Sequence, residues 1–414
     1  MKKNIFSCTI VITCLFLSAC SMGENVQTEE EKRQIEFFQP KTNAIEFFDY
    51  IIEEFESEYP DIEVNQVNVP GGMEVLKTRI AHGDVPDIFI TYPIEQDYVI
   101  RANKGYLLDI THEEFMGNID ATIQNRYLID GKMYGVALSQ NAVGVIYNKD
   151  IFEELELDVP KTWDQFIETL KKIEVEGKQP VLMANKDLER ISVFNLSLIA
   201  NEFDSSYWET LNNNHIDLKE DQRWIELSNK MLEFLDFAQE DSFSTEGIDV
   251  NKAFVNGEGV MSVIGVWEIP NLEKIDVNFN YGIFPFPATN DPERNKVLGG
   301  VDGGFAISAD TKYPEEAKKF LEFLVKKENA QKFSDYEGNI SAVQGVNMNN
   351  AEVSLLAEYM IQGKSVNWPN HYWIGGTAAE QDFRKHSQRF FFDRDIEAYL
   401  ERLELMFENY RQQQ

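Results

Sequence analysis

From residue 35 onward, short apolar runs and amphipathic stretches take turns, and this alternation restricts the chain to the α/β class. Ile35-Glu36-Phe37-Phe38 has the character of a strand stopped by Pro40. Ile45, Phe48, Ile52, Phe55 and Tyr59 recur at three- and four-residue spacings, so a helix is predicted from Asn43 to Tyr59, ended by Pro60. Ile62 to Val67 alternates apolar and polar, as a half-buried strand does. A helix over about 72–82 carries Val75, Leu76 and Ile80 before a Gly83-Asp84 turn. Pro86-Asp87-Ile88-Phe89-Ile90 then suits a buried parallel strand. In open α/β sheets ligands bind beyond the carboxyl ends of the strands. Attention therefore falls on Gln39 after the first strand, and on Thr91 and Tyr92 after the third.

The N-terminus constrains location. Lys2 and Lys3 precede a stretch from Ile5 to Leu17 that is too short for a permanent membrane span and reads as an export signal. Leu17-Ser18-Ala19-Cys20 resembles the bacterial lipoprotein signal. That likeness implies removal of residues 1–19, lipidation of Cys20, and a membrane contact made through the lipid alone, on the outer face of the cell membrane. Residues 20–33, polar and charged with Glu29-Glu30-Glu31, form the anchor and a flexible tether. Cys8 and Cys14 leave with the signal, so the mature chain has no intramolecular disulfide and no cysteine-built metal site.

With 38 basic and 71 acidic residues the formal net charge is −33, and losing Lys2 and Lys3 deepens it by two. Such a surface repels nucleic acid and anionic lipid. Roughly 380 residues remain for the body, more than a single core usually supports, so two domains are expected.

Six blocks, in order, resemble the family of extracellular solute-binding proteins that serve sugar ABC importers. They are Phe55-Glu56-Ser57-Glu58-Tyr59-Pro60-Asp61-Ile62; Gly83-Asp84-Val85-Pro86-Asp87-Ile88; and Gly105-Tyr106-Leu107-Leu108-Asp109-Ile110. The fourth runs Asp130-Gly131-Lys132-Met133-Tyr134-Gly135-Val136-Ala137 through Ile146–Asp150 to Pro160-Lys161-Thr162-Trp163. The fifth is Phe254–Met261 with Gly265-Val266-Trp267, and the sixth is Gly299–Ser308 followed by Pro314–Leu321. The last 80 or so residues match least, in keeping with a part that adapts to its ligand.

The resemblance implies two α/β lobes with a ligand cleft between them and hinge closure on ligand. By analogy the N-terminal lobe comprises 34–135 and 299–326 and the C-terminal lobe 139–296 and 332–414. The hinge crossovers would fall near 136–138, 297–298 and 327–331. The implied function is capture of a carbohydrate, in particular an oligosaccharide, by a monomer that delivers it to ABC transporter permease subunits.

Sugars present hydroxyls and apolar C–H patches, so their sites combine planar hydrogen-bonding side chains with aromatic plates. Trp267 stands at the family's stacking position, between the Gly265 turn and a helix expected to be broken by Pro270. Trp368, Tyr372 and Trp373 crowd a turn-rich segment flanked by Pro369 and Gly375-Gly376, poor core material, so at least one should face the ligand. Asn141, beside Gln140, stands where some members carry a carboxylate; a polar hinge residue capping backbone groups is the alternative. Asp302 lies between glycine pairs that admit close approach of a ligand, or it forms an Asx-turn. Tyr92 replaces the tryptophan–aspartate pair that some members place after this strand, with Asp97 following later. Trp163, Trp208 and Trp224 read as core residues, Thr162 being a good N-cap for the helix that Trp163 opens.

His82, His112, His215, His371 and His386 show no metal-ligand spacing, and neither a nucleophile elbow nor a dinucleotide fingerprint is present, so a binder needing no cofactor or metal is expected rather than an enzyme. Two rivals remain open. A surface glycoside hydrolase would need two carboxylates close together in the cleft. A binder of cationic solutes such as polyamines would need carboxylates converging on amines, whereas the candidates above are mainly amides and one aspartate.

Overall fold

The computed structural model describes residues 32–93 and 95–413. Cys20 and nearly all of the 20–33 tether lie outside the described residues. The first four elements follow the sequence pattern closely: strands Arg33–Phe38 and Ile62–Val67, and helices Ile45–Glu58 and Gly72–Ala81. Strand Ile88–Thr91 starts after Pro86, which can neither donate to the ladder nor leave its predecessor free.

Two sheets organise the molecule. In the first the spatial order is Ile62–Val67, Arg33–Phe38, Ile88–Thr91, Gly304–Ile307, Val136–Ala137. The first three strands are parallel, as strand–helix–strand crossovers require, and the last two run antiparallel to their neighbours. Beneath it the Phe37 ring meets Phe48, Phe305 and Phe320 with centroids 4.9–5.2 Å apart, tying the sheet to helices Ile45–Glu58 and Pro314–Leu324.

The second sheet is built on the long strand Ser139–Asn148. Its first half pairs with Ile340–Ser341 and Val297–Val301, and its second half with Met261–Gly265 and Tyr281–Pro285. Helix Leu188–Glu202 is buried along most of its length because helix Thr377–Asp393 packs against it, and helix Ile396–Arg411 packs in turn on Thr377–Asp393. Trp163, Trp208 and Trp224 are core residues here, and Thr162 Oγ1 caps its helix by accepting the Gln165 N–H. Pro270 does not break a helix but sits in the first turn of Ile269–Ile275, where its missing N–H costs nothing.

Strand pairing and core membership show where the chain changes sheet. It does so first at Leu138, between Val136–Ala137 in one sheet and Ser139 in the other. The second passage is at Asp302–Gly303, later than the expected 297–298, because Val297–Val301 pairs in the second sheet and Gly304–Ile307 in the first. The third is also later than 327–331. Helix Lys327–Glu337 still buries Ala330 and Phe333 in the first core, strand Ile340–Ser341 pairs with the second sheet, and Ala342 and Val343 return to the first core before helix Ala351–Ile361 joins the second lobe. The core that receives a helix's apolar face fixes its lobe, and no local signal reports that.

Candidate binding cleft

Between the two cores lies a cavity of about 440 Å³, within the size range of small-molecule sites. The first lobe contributes the turn Pro40–Asn43, the start of helix Gly72–Ala81, Tyr92 and Glu95. The passage at Asp302 contributes that residue, and the second lobe contributes Asn141 and Val301 from its paired strands, Trp267, Trp368 and one face of helix Thr377–Asp393.

Trp267 and Trp368 form an angled pair, with ring centroids 6.2 Å apart and planes at 43°. Gly265 makes this possible. A Cβ there would fall 2.0 Å from the Trp267 ring, so the indole can fold back over its own strand only because that position has no side chain. The Trp368 indole N–H donates to Asn141 Oδ1 at 3.0 Å, and Asn141 Nδ2 donates to Asp302 Oδ1, also at 3.0 Å. Asp302 Oδ2 accepts from Lys41 Nζ at 2.5 Å and from Asn339 Nδ2 at 2.6 Å. Lys41 also donates to Glu337 Oε2 at 3.0 Å. Burial alone would lower the Lys41 pKa, but the two carboxylates outweigh it and hold the ammonium above its ordinary value. A continuous polar chain thus runs from the aromatic pair in the second lobe to the turn that follows the first strand of the first.

Of the expected site residues, Tyr92, Asn141, Trp267, Asp302 and Trp368 line one cavity. Three others lie elsewhere. Gln39 is fully buried; its N–H bonds to the Val67 carbonyl, so the sheet continues one residue further and turns the side chain inward, where Nε2 donates to Gln66 Oε1. Trp373 belongs to the second core, packed against Trp208, Phe383 and Phe407. The Tyr372 hydroxyl accepts from Asn367 Nδ2 at 2.9 Å, beside the cavity rather than in it.

Lys41, Glu74, Glu95, Glu189, His371, Glu380 and Arg384, which no sequence motif marks as site residues, also line the cavity. The cleft is therefore richer in carboxylates than one aspartate among amides. Lys41 does carry a sequence signal, since it follows the carboxyl end of the first strand. Glu380 and Arg384 gave no signal beyond sitting one helical turn apart, and Arg384 Nη2 donates to Glu380 Oε1 at 2.5 Å. Glu95 is almost wholly buried and its Oε2 has no described partner. Burial, with Asp97 and Glu380 nearby, pushes its carboxyl up to about 8. Burial also pushes the His371 imidazole down to about 4, leaving it neutral at pH 7. Among the described residues no cluster of metal-ligating side chains is found, and no helix is long and apolar enough to cross a membrane.

The profile of the bacterial extracellular solute-binding proteins matches residues 40–331. The multiple sugar-binding protein of Streptococcus mutans is 30% identical over 384 residues, covering 90% of this chain and 89% of that one. RafE in complex with raffinose superposes with a TM-score of 0.82 at 29% identity, covering 91% of this chain and 99% of that one. The apo form of RafE from Streptococcus pneumoniae gives 0.78 at 28%, covering 93% and 100%. The Streptococcus mutans relative is a multiple sugar-binding protein, the first RafE structure holds raffinose, and these neighbours share the two-lobed fold. With cleft, fold and sequence in agreement, this chain belongs to the bacterial extracellular solute-binding protein family.

Proposed function

We propose that this chain captures a neutral oligosaccharide of the raffinose class between its lobes and delivers it to an ABC transporter permease, working as a monomeric binder rather than an enzyme. The observation that carries the reading is the angled Trp267–Trp368 pair in the cleft, joined to the Asn141–Asp302–Lys41 hydrogen-bond chain. Indole faces suit the apolar C–H patches of a pyranose ring, and the amides and carboxylates beside them suit its hydroxyls. Relatives described as binding multiple sugars, raffinose, and melibiose, raffinose and stachyose point the same way. In this reading Cys20 carries the lipid that holds the protein at the outer face of the membrane.

The carboxylates of the cleft favour one second reading, a cationic solute. Against it, Asp302 is matched by Lys41 and Glu380 by Arg384, so part of the negative charge is already met within the protein. Calorimetry with raffinose, stachyose, melibiose and spermidine at low and high salt separates the two. Saturable, salt-insensitive binding of a galactoside is the expected result. A signal confined to spermidine and lost in salt would overturn the sugar reading.

A further inference from the structure

We infer that segment Asn367–Thr377 of the second lobe is a closing strap, gripping the first lobe with some residues while its neighbours face the ligand. Trp368, Asn370, His371 and Thr377 line the cavity. Between and beside them lie the contacts to the first lobe. Arg126 Nη1 donates to Asn367 Oδ1, the Gly375 N–H donates to Gln96 Oε1 at 2.8 Å, and Thr377 Oγ1 donates to Glu95 Oε1 at 3.3 Å. Ligand occupancy and lobe contact are thus read by adjacent residues of one backbone.

The strap is rigid on its own side. Ser365–Val366 pairs parallel with Val297–Leu298, Trp373 is sunk in the core, and Asn212 holds the backbone at both Tyr372 and Ile374. The gripping residues of the first lobe are equally well mounted. Arg126 adjoins the fully buried Tyr127, whose hydroxyl donates to the Thr91 carbonyl, and Gln96 opens helix Gln96–Asn103. Both partners therefore move as parts of rigid lobes.

Gly375 and Gly376 make the approach possible. Both have positive φ, and a Cβ on Gly376 would lie 3.1 Å from Asp97 Oδ2 of the other lobe. The grip consists of scattered polar bonds, while the apolar clusters of the two lobes remain separate. Such bonds are individually weak against water and easily reversed, which suits a contact that must open to load and unload.

The inference rests on the oligosaccharide reading only for its choice of ligand. The test uses the double variant R126A/Q96A, whose two changes leave the cavity lining intact, with small-angle scattering of the ligand-free protein and stopped-flow dissociation of raffinose followed by tryptophan fluorescence. The expected result is a larger radius of gyration without ligand and dissociation about tenfold faster, with the association rate and thermal midpoint little changed. Scattering and dissociation identical to wild type would overturn the strap. If wild type itself ignores raffinose, the ligand assignment falls, and the ligand-free scattering still decides for or against the strap.

Discussion

The indole N–H of Trp368 reaches the side-chain oxygen of Asn141 at 3.0 Å, although the two residues are 227 positions apart in sequence. That bond fixes the orientation of one aromatic plate from the long strand of the second sheet. It also links the plate to Asp302 and Lys41, so the stacking surface and the polar wall are positioned together.

Removing either plate should cost binding and little else. Trp267→Ala and Trp368→Ala are each expected to weaken raffinose affinity by about 2 kcal/mol, roughly thirtyfold, with the fold retained. Calorimetry beside circular dichroism checks this; unchanged affinity in both variants would remove the aromatic pair from the site.

Gly265→Ala should act through Trp267 without touching the ligand. Its new Cβ would collide with the indole, so affinity should fall roughly as far as in Trp267→Ala, and the two changes combined should cost no more than either alone. Additive losses would show that the glycine matters for another reason.

Trp373→Ala should do the opposite of the cleft variants. Its side chain is fully buried among Trp208, Phe383 and Phe407, so truncation should cost about 3–5 kcal/mol of stability. Denaturant titration should register that loss, while the folded fraction binds sugar with close to wild-type affinity.

Asp302→Ala would take one of two carboxylates from Lys41, which keeps Glu337, and would remove an acceptor from both Asn141 and Asn339. Because Glu337 still faces the ammonium, the cost is that of the lost charge-assisted hydrogen bonds, about 1–3 kcal/mol. A fall in the thermal midpoint together with weaker binding is expected, and a loss of binding alone would place Asp302 outside the structural network.

Glu95 gives the pH dependence. Its carboxyl faces Asp97 and Arg101 on the helix that follows it, Tyr92 just before it, and Glu380 and the Thr377 hydroxyl from the second lobe. Its pKa is raised from 4.5 to about 8, so between those values the folded state holds a proton that the unfolded chain has released. The contribution to stability is full below pH 4.5 and is lost as pH rises toward 8, with a slope of up to about 1.4 kcal/mol per pH unit. Glu95→Gln should flatten that window in a series of thermal melts; an unchanged slope would show that Glu95 is already ionised at neutral pH.

Local sequence determined much of this protein. The alternation from Ile35 to Ile90 specified the first strands and helices, because three- and four-residue helical spacings, two-residue strand alternation and proline stops act over a few neighbours. The ordered blocks disclosed the family, and the loop signals marked Trp267 and, without choosing among its members, the cluster Trp368, Tyr372 and Trp373. Tertiary structure decided the rest. Trp368 and Trp373 stand in the same turn-rich segment, yet one lines the cleft and the other fills a core, because only the arrival of helices Thr377–Asp393 and Ile396–Arg411 determines which indole is covered. Lys41 became part of the site when the fold brought Asp302 and Glu337 to it, and the lobe membership of helix Lys327–Glu337 followed from the core that accepted Phe333. Burial and charge pairing depend on residues hundreds of positions away, and no local pattern encodes them.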